Sequence, residues 1–312
     1  MKEIPNPLHA INFITDGFTS RIVNKILGMH PLEKLNSLFP NKKSIKKSHQ
    51  LKKLKKIFNK TTPAVSDKSE IKKSRPLEAY IARDMNEVKE AQALRYKVFA
   101  EELGARLPFN SENLDIDEFD QYCDHLIVRD QDSLMVIGTY RILPPDQAKL
   151  IGKVYSANEF DLSRIEHLLP KAVEVGRSCV HPNYRSGAVI MALWAGLGSY
   201  MRQHGYEILL GCASVPMADG GHYAASLNRI FYEANLCPVE YRTFPKVPLP
   251  LDKLNTSLEV DPPALIKGYL RLGAQICGEP AWDPDFNTAD FLTMLRLSDI
   301  NPKYGKHFLN SN

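Results

Sequence analysis

From about residue 78 onward the sequence predicts an α/β fold, and three observations carry that prediction. Short apolar runs of strand length recur between longer runs with helix spacing. Two of the short runs are split by a tight polar turn, the mark of a hairpin. Glycine and proline punctuate the ends. Taken in order, LEAYIAR (77–83) alternates as a strand. MNEVKEAQALRYKVFAEEL (85–103) places Val88, Ala91, Leu94, Val98 and Phe99 at helical intervals. HLIVRD, the turn Gln131–Ser133 and LMVIGTYRIL form the hairpin, which Pro144 and Pro145 end. VEVGRSCV (173–180) is the next strand, and AVIMALWAGLGSYMRQHG (188–205) is a helix stopped by Gly205. YEILLGCAS (206–214) is a further buried strand. Helices are expected over 221–234 and 262–276, and no internal repeat is visible.

Bulk composition is that of a globular protein: 312 residues, 44% hydrophobic and 24% charged. The net charge of +4 is unevenly spread, because residues 41–75 are rich in lysine with only Asp67 and Glu70 against it. Five cysteines (Cys123, Cys179, Cys212, Cys237, Cys277) form no CxxC pair. Neither a zinc knuckle nor a disulfide framework is expected, and reduced thiols fit a cytoplasmic protein. No apolar run reaches the roughly 18 residues of a membrane span, and no signal-peptide segment is seen.

Residues 1–75 read as a basic arm with amphipathic helical segments and a linker, and 76–312 as the globular domain. LKKLKKIF (51–58) sets Leu51, Leu54, Ile57 and Phe58 against four lysines. One reading is contact of residues 42–60 with an anionic membrane, placing the protein peripherally on the inner face of the cytoplasmic membrane. The other is a solvated basic arm. Nucleic acid is not expected, because aromatics do not interleave with the lysines.

The stretch VEVGRSCVHPNYRSGAV (173–189) holds the unusual residues. Glu174 and Arg177 sit inside an apolar strand. Arg185-Ser186-Gly187-Ala188 then forms a turn at a helix start, where free N–H groups and the helix dipole favour phosphate. In an ideal strand residues 174 and 177 face opposite ways. A bulge near Gly176 would bring them to one side and free backbone N–H groups. Cys179 and Cys212 read as packing residues. His125 and Asp130 match an HxxxxD spacing, but along a strand, as chance would give. His222 reads as a helix cap or an acyl-channel residue. Trp194 and Met191 read as core or channel.

The order hairpin, strand, Arg-Gly turn, helix, strand resembles the GNAT acyltransferase core. That resemblance implies a mixed, mostly antiparallel twisted sheet flanked by helices, with a splayed, bulged strand. Its turn holds the pyrophosphate of a pantetheine carrier. Here Arg185-Ser186-Gly187-Ala188 is one residue short and lacks the second glycine, which favours acyl carrier protein over free acyl-CoA as donor. RYKVFAEELGA, DEFDQYCDHLIV, GTYRILP and VEVGRSCV, in that order, are similar to the acyl-homoserine-lactone synthases. Arg95, Phe99, Asp120, Arg141, Glu174 and Arg177 occupy the positions of that pattern, with Asp124 as the second acid. CDHLIVRD, GRSCVHPNYRSGAVI, LGCASVPMADGG, IKGYLRLGAQICGEPAWDPDFNTADFL and NPKYGKHFL resemble the N-acyltransferases that begin ornithine-lipid synthesis.

What this second resemblance implies is transfer of a long-chain (3-hydroxy)acyl group from acyl carrier protein to the α-amine of an amino acid. L-Ornithine is the default acceptor and a lyso-ornithine lipid the product. A later O-acylation would need a separate O-acyltransferase. No permanently bound cofactor and no metal are expected. Glu174 is the candidate base, with Arg177 and Arg141 as catalytic partners. Arg95, Phe99, Asp120, Asp124 and Asp219 are candidate acceptor-site residues, and Arg185, Ser186, Gly187 and Ala188 would hold the phosphopantetheine. The competing readings are acylation of glycine or lysine, lactone synthesis, and an inactive membrane-associated scaffold.

Overall fold

The computed structural model describes residues 76–301, and the basic arm with its membrane reading lies outside the described residues. Strand β1 (Leu77–Ile81) leads to helix α1 (Met85–Tyr96), whose N-cap Asp84 accepts from the Asn86 and Glu87 amides. The predicted helix runs on through Glu102, but its last turn, Lys97–Glu102, widens to π geometry. The hairpin follows as β2 (Asp124–Asp130) and β3 (Val136–Leu143), then α2 (Pro145–Ile151) and the short β4 (Phe160–Asp161). Next come β5 (Ala172–Val180), α3 (Ala188–His204), β6 (Ile208–Pro216), α4 (His222–Ala234) and β7 (Phe244–Pro245). Helix α5 (Ala264–Leu272), β8 (Gln275–Ile276), β9 (Ala281–Asp283) and β10 (Thr288–Arg296) complete the series.

The main sheet runs β1-β2-β3-β5-β6-β10-β8, with β9 on β10; β4 and β7 pair separately. Every pairing is antiparallel except β5 with β6. This is the mixed, mostly antiparallel sheet that the sequence predicts. Helix α5 is shorter than the expected 262–276. Gly273 ends it at φ +112, with the Asp299 carbonyl 2.6 Å from where a Cβ would stand, so only glycine fits.

Alternation sorts the side chains. Leu126, Ile142, Val173 and Leu209 pack with Leu193, Leu197 and Met201 of α3 on one face. On the other, Ile127, Val136 and Cys179 meet α1, while Leu143, Ala172, Leu210 and Leu292 meet Phe160, Leu162 and Ile165. Two irregularities interrupt this layering. Strands β5 and β6 pair only from Ala172↔Ile208 to Glu174↔Leu210 and then part. At the parting point a Cβ on Gly211 would lie 2.2 Å from the Val175 carbonyl oxygen, so glycine is required there. Against β3 the register jumps from Thr139↔Cys179 to Arg141↔Gly176. Arg177 and Ser178 together therefore oppose Tyr140, a β-bulge next to Gly176 as predicted. The left-handed residue is Arg177, at φ +50, not the glycine.

Candidate active site

A cavity of about 540 Å³ runs through the gap between β5 and β6. Its walls come from both faces of the sheet and from both diverging strands, Val175, Gly176 and Gly211 among them. On the α3 face it is apolar, lined by Ile190, Trp194, Leu197, Leu265, Tyr269 and Leu272. On the opposite face polar groups enter, Arg141, Tyr155, Glu174, Arg177, Cys212 and Asp290, among the rings of Phe99, Phe119 and Phe286. Glu174 and Arg177 thus share one cavity, because the bulge turns Arg177 onto the Glu174 side.

Glu174 is 5% exposed. One carboxylate oxygen accepts from the Ser156 amide at 2.7 Å and from the Ser156 hydroxyl, and the other from the Tyr155 amide. Burial raises its pKa, against the opposing pull of these donors and of Arg141. Arg177 donates to Asp115 and Asp117, both at 3.2 Å, and its guanidinium lies 4.6 Å over Phe286 and 5.1 Å over Tyr155. Burial works against its charge, but Tyr155, Asp115 and Asp117 more than offset that. Arg141 donates to Asp117 at 2.6 Å.

Arg95 and Asp120 do not line the cavity; they stand behind it. Arg95 is 0% exposed and bonds Asp115 at 2.8 Å and Asp120 at 2.8 and 3.0 Å. Burial opposes the Asp120 charge, but Arg95 outweighs it and holds the carboxyl below its ordinary range. Three arginines and three aspartates therefore form one network, which fixes the 115–120 loop over the sheet. Phe99 does line the cavity, edge-on to Phe286 at 5.9 Å.

Two expected acceptor residues are elsewhere. Asp124 accepts from the Tyr200 hydroxyl at 2.6 Å in a separate cleft. Asp219 accepts from the Gly221 and Tyr223 amides at 3.0 and 2.7 Å at the start of α4, where Gly221, not His222, is the N-cap. His222 instead accepts from the Asn255 amide at 2.9 Å. At the turn before α3, Arg185, Ser186 and Gly187 line the cavity and Ala188 does not. Arg185 makes a two-pronged pair with Glu102 at 2.6 and 2.7 Å. Cys179 is buried, its thiol pushed up to about 12. His125 bonds the Asp120 carbonyl, while Asp130 accepts from Ser133 and Tyr184, so the HxxxxD pair forms no common site.

Four polar residues in contact with Glu174 and the arginines went unread in the sequence. Asp115 and Asp117 meet the arginines, and the alternating acids of LDIDEF could have revealed them. Tyr155 and Ser156, which hold Glu174, belong to a one-turn helix with no sequence signal.

Comparison with known proteins gives the family. The family model described as an acetyltransferase (GNAT) domain matches residues 94–195. An L-ornithine N(alpha)-acyltransferase of Agrobacterium fabrum is 36% identical over 249 residues, covering 74% of this chain and 85% of that protein. One of Rhodobacter capsulatus is 36% identical over 245 residues, covering 74% and 94%. The chain belongs to the L-ornithine Nα-acyltransferase family. It is an amino-acid N-acyltransferase with a GNAT-like fold. Among solved structures, the AHL synthase LasI matches at TM-score 0.43 and 14% identity, covering 76% of this chain and 97% of that one. FeeM, an N-acyl amino acid synthase from uncultured soil microbes, matches at 0.43 and 13%, covering 73% and 95%. The family's 94–195 domain takes in Arg95, Arg141, Glu174, Arg177 and the Arg185 turn, but not Cys212 or Asp290.

Proposed function

We propose that this acyltransferase moves a long-chain (3-hydroxy)acyl group from acyl carrier protein to the α-amine of L-ornithine, forming a lyso-ornithine lipid. The observation that carries the reading is the cavity through the β5/β6 gap, apolar on one face and holding Glu174, Arg177 and Arg141 on the other. A long acyl chain lies against Trp194, Leu197 and Tyr269, while its thioester carbonyl reaches the bulge beside Glu174. The amine must lose a proton to attack. Glu174 receives it, directly or through the Ser156 hydroxyl that already donates to it. The nitrogen–carbon bond forms and the carbon–sulfur bond breaks. The leaving sulfur takes up the nitrogen's second proton and departs as the carrier's thiol. Backbone N–H groups at the bulge stabilise the carbonyl oxygen as charge builds on it.

Acyl carrier protein is favoured over acyl-CoA by the turn before α3. The charge of Arg185 is matched by Glu102, and the Ser186 amide is used by the Tyr184 carbonyl. So few free donors suit one phosphodiester better than a pyrophosphate. No helix among the described residues is long and apolar enough to cross a membrane. Peripheral attachment to the inner face through residues 42–60 suits an amphiphilic product, and a separate O-acyltransferase would complete the lipid. Expression followed by lipid mass spectrometry tests the reading. A new N-acyl ornithine is expected with the wild-type chain and not with Glu174→Ala. Lactone product, or acylation of glycine in preference to ornithine, would overturn it.

A further inference from the structure

Charge across the polar face of the sheet is ordered. Arg141 stands on β3, Glu174 and Arg177 on β5, Cys212 on β6 and Asp290 on β10, strands that neighbour one another in that sequence. The arginines, with Asp115, Asp117 and Asp120 against them, thus lie on one side of Glu174, and a second group of acids lies on the other. The acids are Asp283 and Asp290 on the cavity wall and Glu159 behind them. Ligating atoms of Glu159, Asp290 and Cys212 lie within 4.8 Å of one another. Asp290 is 4% exposed and accepts from the Thr288 hydroxyl at 2.8 Å. Both carboxylate oxygens of Glu159 are sealed from solvent, and the side chains that bear on them are the Asp290 carboxyl and the Cys212 thiol. None of the groups acting most strongly on Glu159 or Asp290 is a cation. Burial, then Asp290 and Asp283, push Glu159 up to about 9. With no cation beside it, such a close carboxyl pair holds a proton, which an incoming ammonium can replace.

We propose that Glu159 and Asp290, with Asp283 at the rim, form the subsite for the terminal ammonium of the acceptor amino acid. The inference rests on the ornithine reading above and names the residues that select a cationic side chain. The Cys212 thiol lies 3.6 Å from the Ser156 hydroxyl, which bonds Glu174. The acidic pair is therefore one short step from the base. An amino acid with three methylenes between its α-carbon and its ammonium spans that step. Its α-amine then lies at Glu174 and its carboxylate toward Arg177. Asp120, Asp124 and Asp219 are engaged elsewhere, so this pair takes the role first expected of them.

Calorimetry on the full chain tests the subsite without relying on turnover. L-Ornithine is titrated against norvaline, the same carbon skeleton without the terminal amine, into wild type, Glu159→Gln and Asp290→Asn. Zinc ion is titrated separately. Wild type is expected to favour ornithine by about 10- to 100-fold, the range of a charged hydrogen bond, and both variants to lose that preference. Both substitutions replace a carboxyl by an amide of the same shape, so folding is retained, and melting temperature checks this. A preference that persists in both variants overturns the subsite. So does a wild type that does not discriminate, or a tightly held zinc ion that ornithine leaves in place. If wild type prefers ornithine but transfers no acyl group, the proposed function falls and the subsite stands. If it acylates ornithine and both variants keep the preference, the function stands and the subsite falls.

Discussion

Replacing Glu174 by glutamine separates a chemical role from a structural one. The carboxylate meets two backbone amides and the Ser156 hydroxyl. A glutamine oxygen turned toward Ser156 keeps two of the three donors. Its amide nitrogen then faces the Tyr155 N–H, donor against donor, which costs about 1–3 kcal/mol. Against that, a neutral amide escapes the burial cost that raises the pKa of Glu174. The two effects oppose each other, so the net change in stability is small. At about 2–4 °C per kcal/mol for a domain of this size, the melting point moves by a few degrees. Turnover should fall by about 10²- to 10⁴-fold, the usual worth of a general base. The assay is thiol release from an acyl carrier protein thioester with saturating ornithine, followed across pH. In wild type the rate should rise with pH through a carboxyl pKa above the ordinary 4.5, and that limb should vanish in the variant. A variant with wild-type turnover and an unchanged acid limb would refute the mechanism.

Three further changes test other parts of the molecule. Arg95→Met leaves Asp115 and Asp120 buried beside an apolar chain, and should cost about 3–5 kcal/mol by urea denaturation. Glu159→Gln should alter the pH dependence of stability. The fold keeps the Glu159 proton up to about 9, while the unfolded chain gives it up near 4.5. Stability from this group is therefore full below 4.5 and is lost as pH rises toward 9. The variant should melt with wild type at pH 4 and several degrees higher at pH 8. Gly268→Ala puts a Cβ 2.2 Å from the Trp194 ring, which must move toward the cavity that it lines. Competition among thioesters of graded length, read by mass spectrometry, should then favour shorter acyl chains.

The strands and helices were legible because period-2 and period-3.6 patterns survive burial on one face. The bulge was legible by a different route: Glu174 and Arg177 in one strand cannot share a face without an extra residue. Helix α5 was overextended because LGAQI keeps its apolar spacing through Gly273, and only the close approach of the Asp299 backbone shows why the helix stops. Asp124 and Asp219 were misplaced for a similar reason. An acid near a motif looks available until its donor is known, and here Tyr200 and the first turn of α4 supply the donors. Glu159 and Asp290 lie 131 positions apart and meet only through the folded sheet. No local pattern could pair them.

The bulge shows how conformation and space were divided between adjacent residues. A left-handed backbone costs a non-glycine residue roughly 1–2 kcal/mol, so Gly176 would have been the economical place for it. The strain falls on Arg177 instead, where ion pairs to Asp115 and Asp117 and the rings of Phe286 and Tyr155 hold the side chain. Gly176 keeps ordinary backbone angles, yet a Cβ there would meet no atom within 4 Å. It lines the cavity on the Glu174 side, so any side chain would project into the open space where donor and acceptor must meet. Glycine is needed at 176 for room, and the strained arginine at 177 for direction. Exchanging the two residues would relieve the backbone but leave an arginine in the space for the thioester and no guanidinium between Asp115 and Asp117.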